Sequence, residues 1–289
     1  FLLLFVQGFG QYTGPGTPTT FPTTPSNRLA RFCFHLLAPA VRSGRVVLAS
    51  ETRGMQDELQ RFTGLPVTLF PHPVPPPPET DKQPPVSGLQ PTASGLRPPV
   101  SDSITITCPG FARHEKGNDL LQEAIEILLA GPDSERLRFV VQWPEPFAMP
   151  DGSMLAPDPA LVSDPRVEFL NYNLDSEAYE VLLARTDLVV LPYRRNSYHQ
   201  RVSRVAIEAA SRGIPLVYMA DTWSAEVAAL AGDGSKVDDE SHQAVVSALR
   251  RATCGLTSLR ETVHAGAADV ASFHSAEGFR RRLLEISQG

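Results

Sequence analysis

Apolar positions along this chain alternate between two spacings. Short runs at 2–8 (LLLFVQG), 45–50 (RVVLAS) and 66–70 (PVTLF) are bounded by Gly, Pro or Ser and read as strands. Between them, 27–41 (NRLARFCFHLLAPAV) and 53–63 place apolar residues at helical intervals, the second stopped by Gly64. Residues 10–25 are a Gly- and Pro-rich loop. The alternation predicts a small parallel sheet with crossover helices and only about three strands.

Residues 71–100 contain eleven prolines, so neither a helix nor a central strand can form there. A semi-extended linker is expected over 75–102. A fuller α/β unit follows. Strands are predicted at 103–108, 137–143, 166–171, 187–192 and 215–219. Helices are predicted at 118–130, at 176–185 behind an Asp175 cap, and near 223–231, 240–252, 256–271 and 275–287. The segments 144–164 and 193–202 read as loops. The run at 187–192 (DLVVLP) is apolar enough to be buried on both faces.

The chain has 289 residues, 42% hydrophobic and 20% charged, enough for two units each with its own core. Its net charge of -6 argues against nucleic-acid binding, which needs a broad basic face. Cys33, Cys108 and Cys254 give neither a disulfide framework nor a zinc spacing, and a cytoplasmic setting is expected. The first apolar run ends at Val6, too short to span a membrane. Membrane contact is at most peripheral in this reading. A chain that opens on a core strand suggests a fragment whose earlier part is missing.

Ligands of parallel α/β sheets bind beyond the carboxyl ends of the strands. Three loops leave such ends here: 109–117, 171–175 and 193–202. In the first, Gly110 permits a tight exit, and Arg113 and Lys116 bring two cations to the start of a helix. In the third, Arg194, Arg195, Arg201 and Arg204 flank Ser197, Tyr198, His199, Gln200 and Ser203. That concentration of donors before a helix suits a diphosphate. Glu208 interrupts the small-residue face formed by Ala206, Ala209 and Ala210. A carboxylate there suits a pair of sugar hydroxyls, and a salt bridge to a nearby arginine is the structural alternative.

At these residues the chain resembles the donor-binding half of a retaining family-4 glycosyltransferase of the GT-B architecture. The matching segments are PGFARHEKGNDLLQEAI at 109–125, RVEFLNYN at 166–173, DLVVLPY at 187–193 and SYHQRVSRVAIEAASRGIPLVY at 197–218. The resemblance implies two Rossmann-like domains. A partial acceptor-side domain would cover 1–74, a donor-binding domain 103–272, and a helix at 273–289 would cross back toward the first. It implies transfer of a sugar from a nucleoside diphosphate sugar, as donor substrate and without a separate cofactor, to a carbohydrate or lipid-linked acceptor. Lys116 matches the family's basic residue on the diphosphate, and Glu208 its ribose-binding glutamate. Ser203, Arg204 and Val205 match the phosphate-facing turn, and Asn171 and Tyr172 the region near the base. Tyr198, Gln200 and Arg201 belong to the same donor loop, and Arg113 is a second cation for the phosphates. The sequence departs from the pattern at Phe111, where an arginine is common, and at Gln200, where a glutamate is common. Other readings are a non-catalytic nucleotide-sugar-binding module and another GT-B enzyme, such as a sugar phosphorylase or an epimerase. No metal constellation emerges, and no G-x-G-x-x-G follows the first strand of either unit.

Overall fold

A computed structural model describes residues 1–6, 8–76 and 102–288. The expected linker at 75–102 lies almost wholly outside the described residues. The first unit is a parallel sheet of β1 (Leu2–Phe5), β2 (Val47–Ser50) and β3 (Val67–Leu69), in the order β1-β2-β3. Helices α1 (Pro25–Arg42) and α2 (Arg53–Thr63) pack on it through Phe34, Met55, Leu59 and Phe62. Thr24 and Thr52 cap the two helices, and Gly64 ends α2 in the left-handed region at φ 67°, as its position predicts.

The second unit is a six-stranded parallel sheet. Its strands are β4 (Ile104–Cys108), β5 (Leu137–Gln142), β8 (Val167–Leu170), β9 (Leu188–Leu191), β10 (Leu216–Met219) and β11 (Ser235–Val237), in the order β11-β10-β9-β4-β5-β8. Its helices are α3 (Asn118–Leu129), α5 (Ser176–Ala184), α7 (Arg204–Ala210), α8 (Ser224–Leu230), α9 (His242–Cys254) and α10 (Leu256–Phe273). Every residue of β9 is buried, as its continuous apolar run predicts. Leu188 and Val190 pack with α3 and α9, while Val189 and Leu191 pack with α7, α8 and α10. The chain builds outward from β4 to β5 and β8, then reverses through β9, so the switch point falls between β4 and β9.

Some elements differ from the sequence reading. The segment 144–164 holds a two-residue antiparallel pair, β6 (Phe147–Ala148) with β7 (Met154–Leu155), and a short helix, α4 (Pro159–Ser163). Residues 193–202 include one helical turn, α6 (Arg195–Tyr198), and β11 had not been expected. All are too short for periodicity to register. The last helix, α11 (Ala276–Gln288), packs Phe279 on Phe70 in a tilted contact at 5.2 Å and points Arg282 Nε at the Leu69 carbonyl, 3.3 Å away. No described helix is long and apolar enough to cross a membrane.

Candidate functional site

The loops after β4 and β9 meet at the switch point. Gly110 adopts φ 88° and donates its N–H to Gln142 Oε1 at 2.7 Å. A Cβ at 110 would stand 2.7 Å from Lys116 Nζ, so the ammonium lies directly over the glycine. One 3-10 turn, His114–Lys116, then ends at Gly117 with φ 69°. A Cβ at 117 would fall 1.9 Å from the Pro192 carbonyl oxygen, and Arg194 N–H donates to the Glu115 carbonyl at 2.9 Å. Backbone approach this close is what the two glycines permit.

Lys116 makes no ion pair or hydrogen bond among the described residues, and burial pulls its pKa below the usual lysine value. Arg201 and Arg113 flank it, and Glu115 lies between them at 3.2 Å and 3.7 Å. The Arg201 guanidinium sits 5.1 Å above the ring of Tyr198, which stacks on Tyr193 at 4.1 Å. Ser203 caps α7, its Oγ accepting from Ala206 N–H at 3.2 Å. The N–H groups of Arg204 and Val205 in that first turn lack partners within the helix. The structure therefore brings Gly110, Arg113, Lys116, Tyr198, Arg201, Ser203, Arg204 and Val205 to adjoining loops on one rim.

The other two arginines of the loop serve the fold. Arg194 pairs with Asp119 and with Glu240, and Arg195 is buried with its Nε 2.9 Å from the Ala220 carbonyl. Glu208 is buried, with Oε2 accepting from Tyr179 at 2.8 Å and Oε1 from Arg204 Nε at 2.7 Å. Both of its oxygens thus have partners in the chain itself. Arg204 is 61% exposed, so that pair opens to solvent. Asn171 is exposed after β8, and the Tyr172 carbonyl accepts from Gln142 Nε2 at 3.2 Å. Gln142 therefore ties the loops after β4 and β8 together, a role its place inside a strand run had concealed.

Gln200 faces the first unit. Its Nε2 donates to Glu58 Oε2 at 2.7 Å and to the Gly54 carbonyl at 3.2 Å. Glu58 is fully buried and also accepts from Gly10 N–H at 2.7 Å. A Cβ at Gly8 would come 2.1 Å from Glu58 Oε1, so the glycines after β1 make room for this carboxylate. A glutamate at 200 would set two carboxylates face to face in a buried contact, whereas an amide donates there without adding charge. Beside this contact the two units border an open cavity of about 880 Å³, lined in part by Tyr12, Asp57, His199, Asp221 and Glu226. None of Tyr12, Asp57, Glu58, Asp221 and Glu226 had been singled out. Glu58 carried a signal, since it interrupts the Met55, Leu59, Phe62 stripe of α2.

Comparison with solved structures places the architecture. The chain superimposes on a glycosyltransferase from Rickettsia africae ESF-5 with TM-score 0.61 and 13% identity, over 99% of this chain and 69% of that one. On the sucrose-phosphate synthase of Thermosynechococcus elongatus the TM-score is 0.58 at 19% identity, covering 84% and 57%. The fold is that of the GT-B glycosyltransferases. A UDP-forming α,α-trehalose-phosphate synthase from Burkholderia vietnamiensis matches at TM-score 0.56 and 16% identity, covering 82% and 58%. The chain spans 57% and 58% of the length of the two synthases. No family model and no curated protein sequence matches it.

Proposed function

We propose that this GT-B chain belongs to a retaining glycosyltransferase of the family-4 type, with its second unit binding the donor. It would transfer a sugar from a nucleoside diphosphate sugar to a hydroxyl-bearing carbohydrate acceptor. The observation that carries this reading is Lys116, a partly buried ammonium that makes no ion pair or hydrogen bond among the described residues, set over Gly110 at the switch point. A buried cation without a partner is costly, and a bound diphosphate would relieve that cost.

In this reading Lys116, Arg113 and Arg201 hold the diphosphate, assisted by the backbone of Ser203, Arg204 and Val205. As the sugar–phosphate bond breaks, charge accumulates on the leaving phosphate. Fixed cations then stabilise the transition state more than the ground state. Glu208 would take the ribose hydroxyls by exchanging Arg204 for the ligand, and Asn171 and Tyr172 lie where the base would rest. The contact of Gln200 with Glu58 would help hold the cleft in register, which orients the acceptor and excludes water.

Calorimetric titration with UDP, GDP and ADP tests the reading. At least one should bind, and Lys116→Ala and Glu208→Ala should each weaken it by about 10-fold or more, the scale of a lost charged hydrogen bond. Unchanged affinity in both variants would overturn the site. Nucleotide binding without turnover of any sugar nucleotide would instead favour the non-catalytic module.

A further inference from the structure

The cavity between the two units has a wall whose free groups almost all accept hydrogen bonds. Asp57 on α2 makes no ion pair or hydrogen bond among the described residues. Asp221, just after β10, makes one ion pair among the described residues, with Arg195 at 3.9 Å. It also adopts φ 57°, a left-handed conformation that Asp tolerates at a modest cost. Glu226 spends its carboxylate on the N–H groups of Arg53 and Gly54 at 3.2 and 3.4 Å. His199 Nδ1 lies 3.1 Å from the Arg195 carbonyl, which can only accept, so Nδ1 carries the proton and Nε2 is left as an acceptor. Burial lowers the pKa of this imidazole and favours its neutral form. The Tyr12 ring packs on it at 4.9 Å, and the Tyr12 hydroxyl is buried with no hydrogen-bond partner among the described residues. Arg61 is the one Lys or Arg among the described residues that line the wall, and its guanidinium is spent on the Thr19 carbonyl at 3.1 Å and Thr19 Oγ1 at 2.9 Å.

A phosphoryl group offers acceptors and negative charge, and this wall already has both. Sugar hydroxyls and ammonium groups offer donors, and a tilted aromatic pair suits the face of a sugar ring. Resting on the glycosyltransferase reading above, we infer that the cavity is the acceptor site and that its acceptor is an unphosphorylated polyol, neutral or amine-bearing. A phosphorylated sugar would face Asp57 and Asp221, and the described residues that line the cavity include no unspent cation to offset them.

The test measures glucose, glucosamine and glucose 6-phosphate binding to the full chain by ligand-detected NMR, with saturating UDP present. Glucosamine should bind at least as tightly as glucose, and glucose 6-phosphate about 10-fold or more weaker. The Asp57→Asn, Asp221→Asn double variant keeps both residues' size, and Asn is equally tolerant of the conformation at 221. It should close the gap between glucose and its phosphate. Glucose 6-phosphate binding as well as glucose to the unmodified protein would overturn the inference. So would binding of none of the three, or a gap that the double variant leaves unchanged. UDP titration alone reports on the donor rim, so failure there is a failure of the underlying reading and is seen separately.

Discussion

Across the cleft, the six-stranded unit presents Lys116, Arg113 and Arg201 with only Glu115 between them, while the three-stranded unit presents Asp57 and Glu58 on α2 with Arg61 turned onto Thr19. Both surfaces stand at the carboxyl ends of parallel strands, so the architecture alone does not assign their charge. The loops do. Two glycines let the β4 exit fold its lysine back over the backbone, and two others let the β1 exit wrap a carboxylate. Gln200 lies where the two surfaces meet, as a neutral donor.

The most disruptive change to this arrangement is Gly117→Ala. The new methyl would need a φ of 69° and would stand 1.9 Å from the Pro192 carbonyl, so the β4 and β9 exits must separate. A loss of about 5 kcal/mol is expected in urea unfolding, the range of a backbone clash rather than of propensity. Gly64→Ala is the control. Its φ is 67° but nothing lies within 4 Å of the new atom, so about 1 kcal/mol is expected. Equal losses in the two variants would mean that the rim is not built on close approach.

Gln200→Glu attacks the meeting point itself. Two carboxylates would share the buried contact now spanned by 2.7 Å, at a cost of about 3 to 5 kcal/mol. Adding Glu58→Gln restores one amide and one carboxylate with the roles exchanged. The double swap should recover most of the loss, and a double variant no more stable than Gln200→Glu alone would remove Glu58 from the account.

This contact also marks the limit of what the sequence discloses. The fold was legible because β9 and α3 carry clear apolar signatures, and the rim was legible because Gly110, Lys116, Ser203 and Glu208 lie in two short segments. Glu58 and Gln200 are 142 positions apart, and nothing local to either names the other. The reverse held for Arg194 and Arg195. Their sequence position suggested phosphate, while carboxylates and carbonyls from distant strands and helices had already claimed them. Local spacing finds a loop, and only the fold shows which of its charges are spent.

His274, after α10, is bonded to the segment that leaves the first unit. Its carbonyl accepts from Val74 N–H at 2.8 Å, and its Nδ1 lies 3.0 Å from the His72 carbonyl. Burial lowers its pKa from 6.5 to about 4. Below pH 6.5 the unfolded chain takes up the proton first, so stability falls as pH drops and the loss is complete near pH 4. The expected contribution is about 3 kcal/mol at 1.4 kcal/mol per unit. His274→Gln should flatten the pH dependence of the unfolding free energy between pH 6.5 and 4 by that amount. Identical curves would place the acid sensitivity elsewhere.

The smallest expected effect on stability tests the most exposed part of the rim. Arg204 pairs with Glu208 one helical turn away, and with the arginine largely in water such a pair contributes about 0.5 kcal/mol or less. Arg204→Ala should therefore barely move the unfolding midpoint. It keeps the backbone N–H that the phosphate turn would use, and it releases Glu208 Oε1, leaving Tyr179 to hold Oε2. If Glu208 serves a ribose, the variant should bind UDP at least as tightly as the parent and discriminate more strongly against 2′-deoxy-UDP. If Glu208 is only an anchor for Arg204, removing either partner should weaken UDP to the same degree and leave that discrimination unchanged. Running Arg204→Ala beside Glu208→Ala in the same titration decides between a carboxylate that waits for a ligand and one the fold has already used.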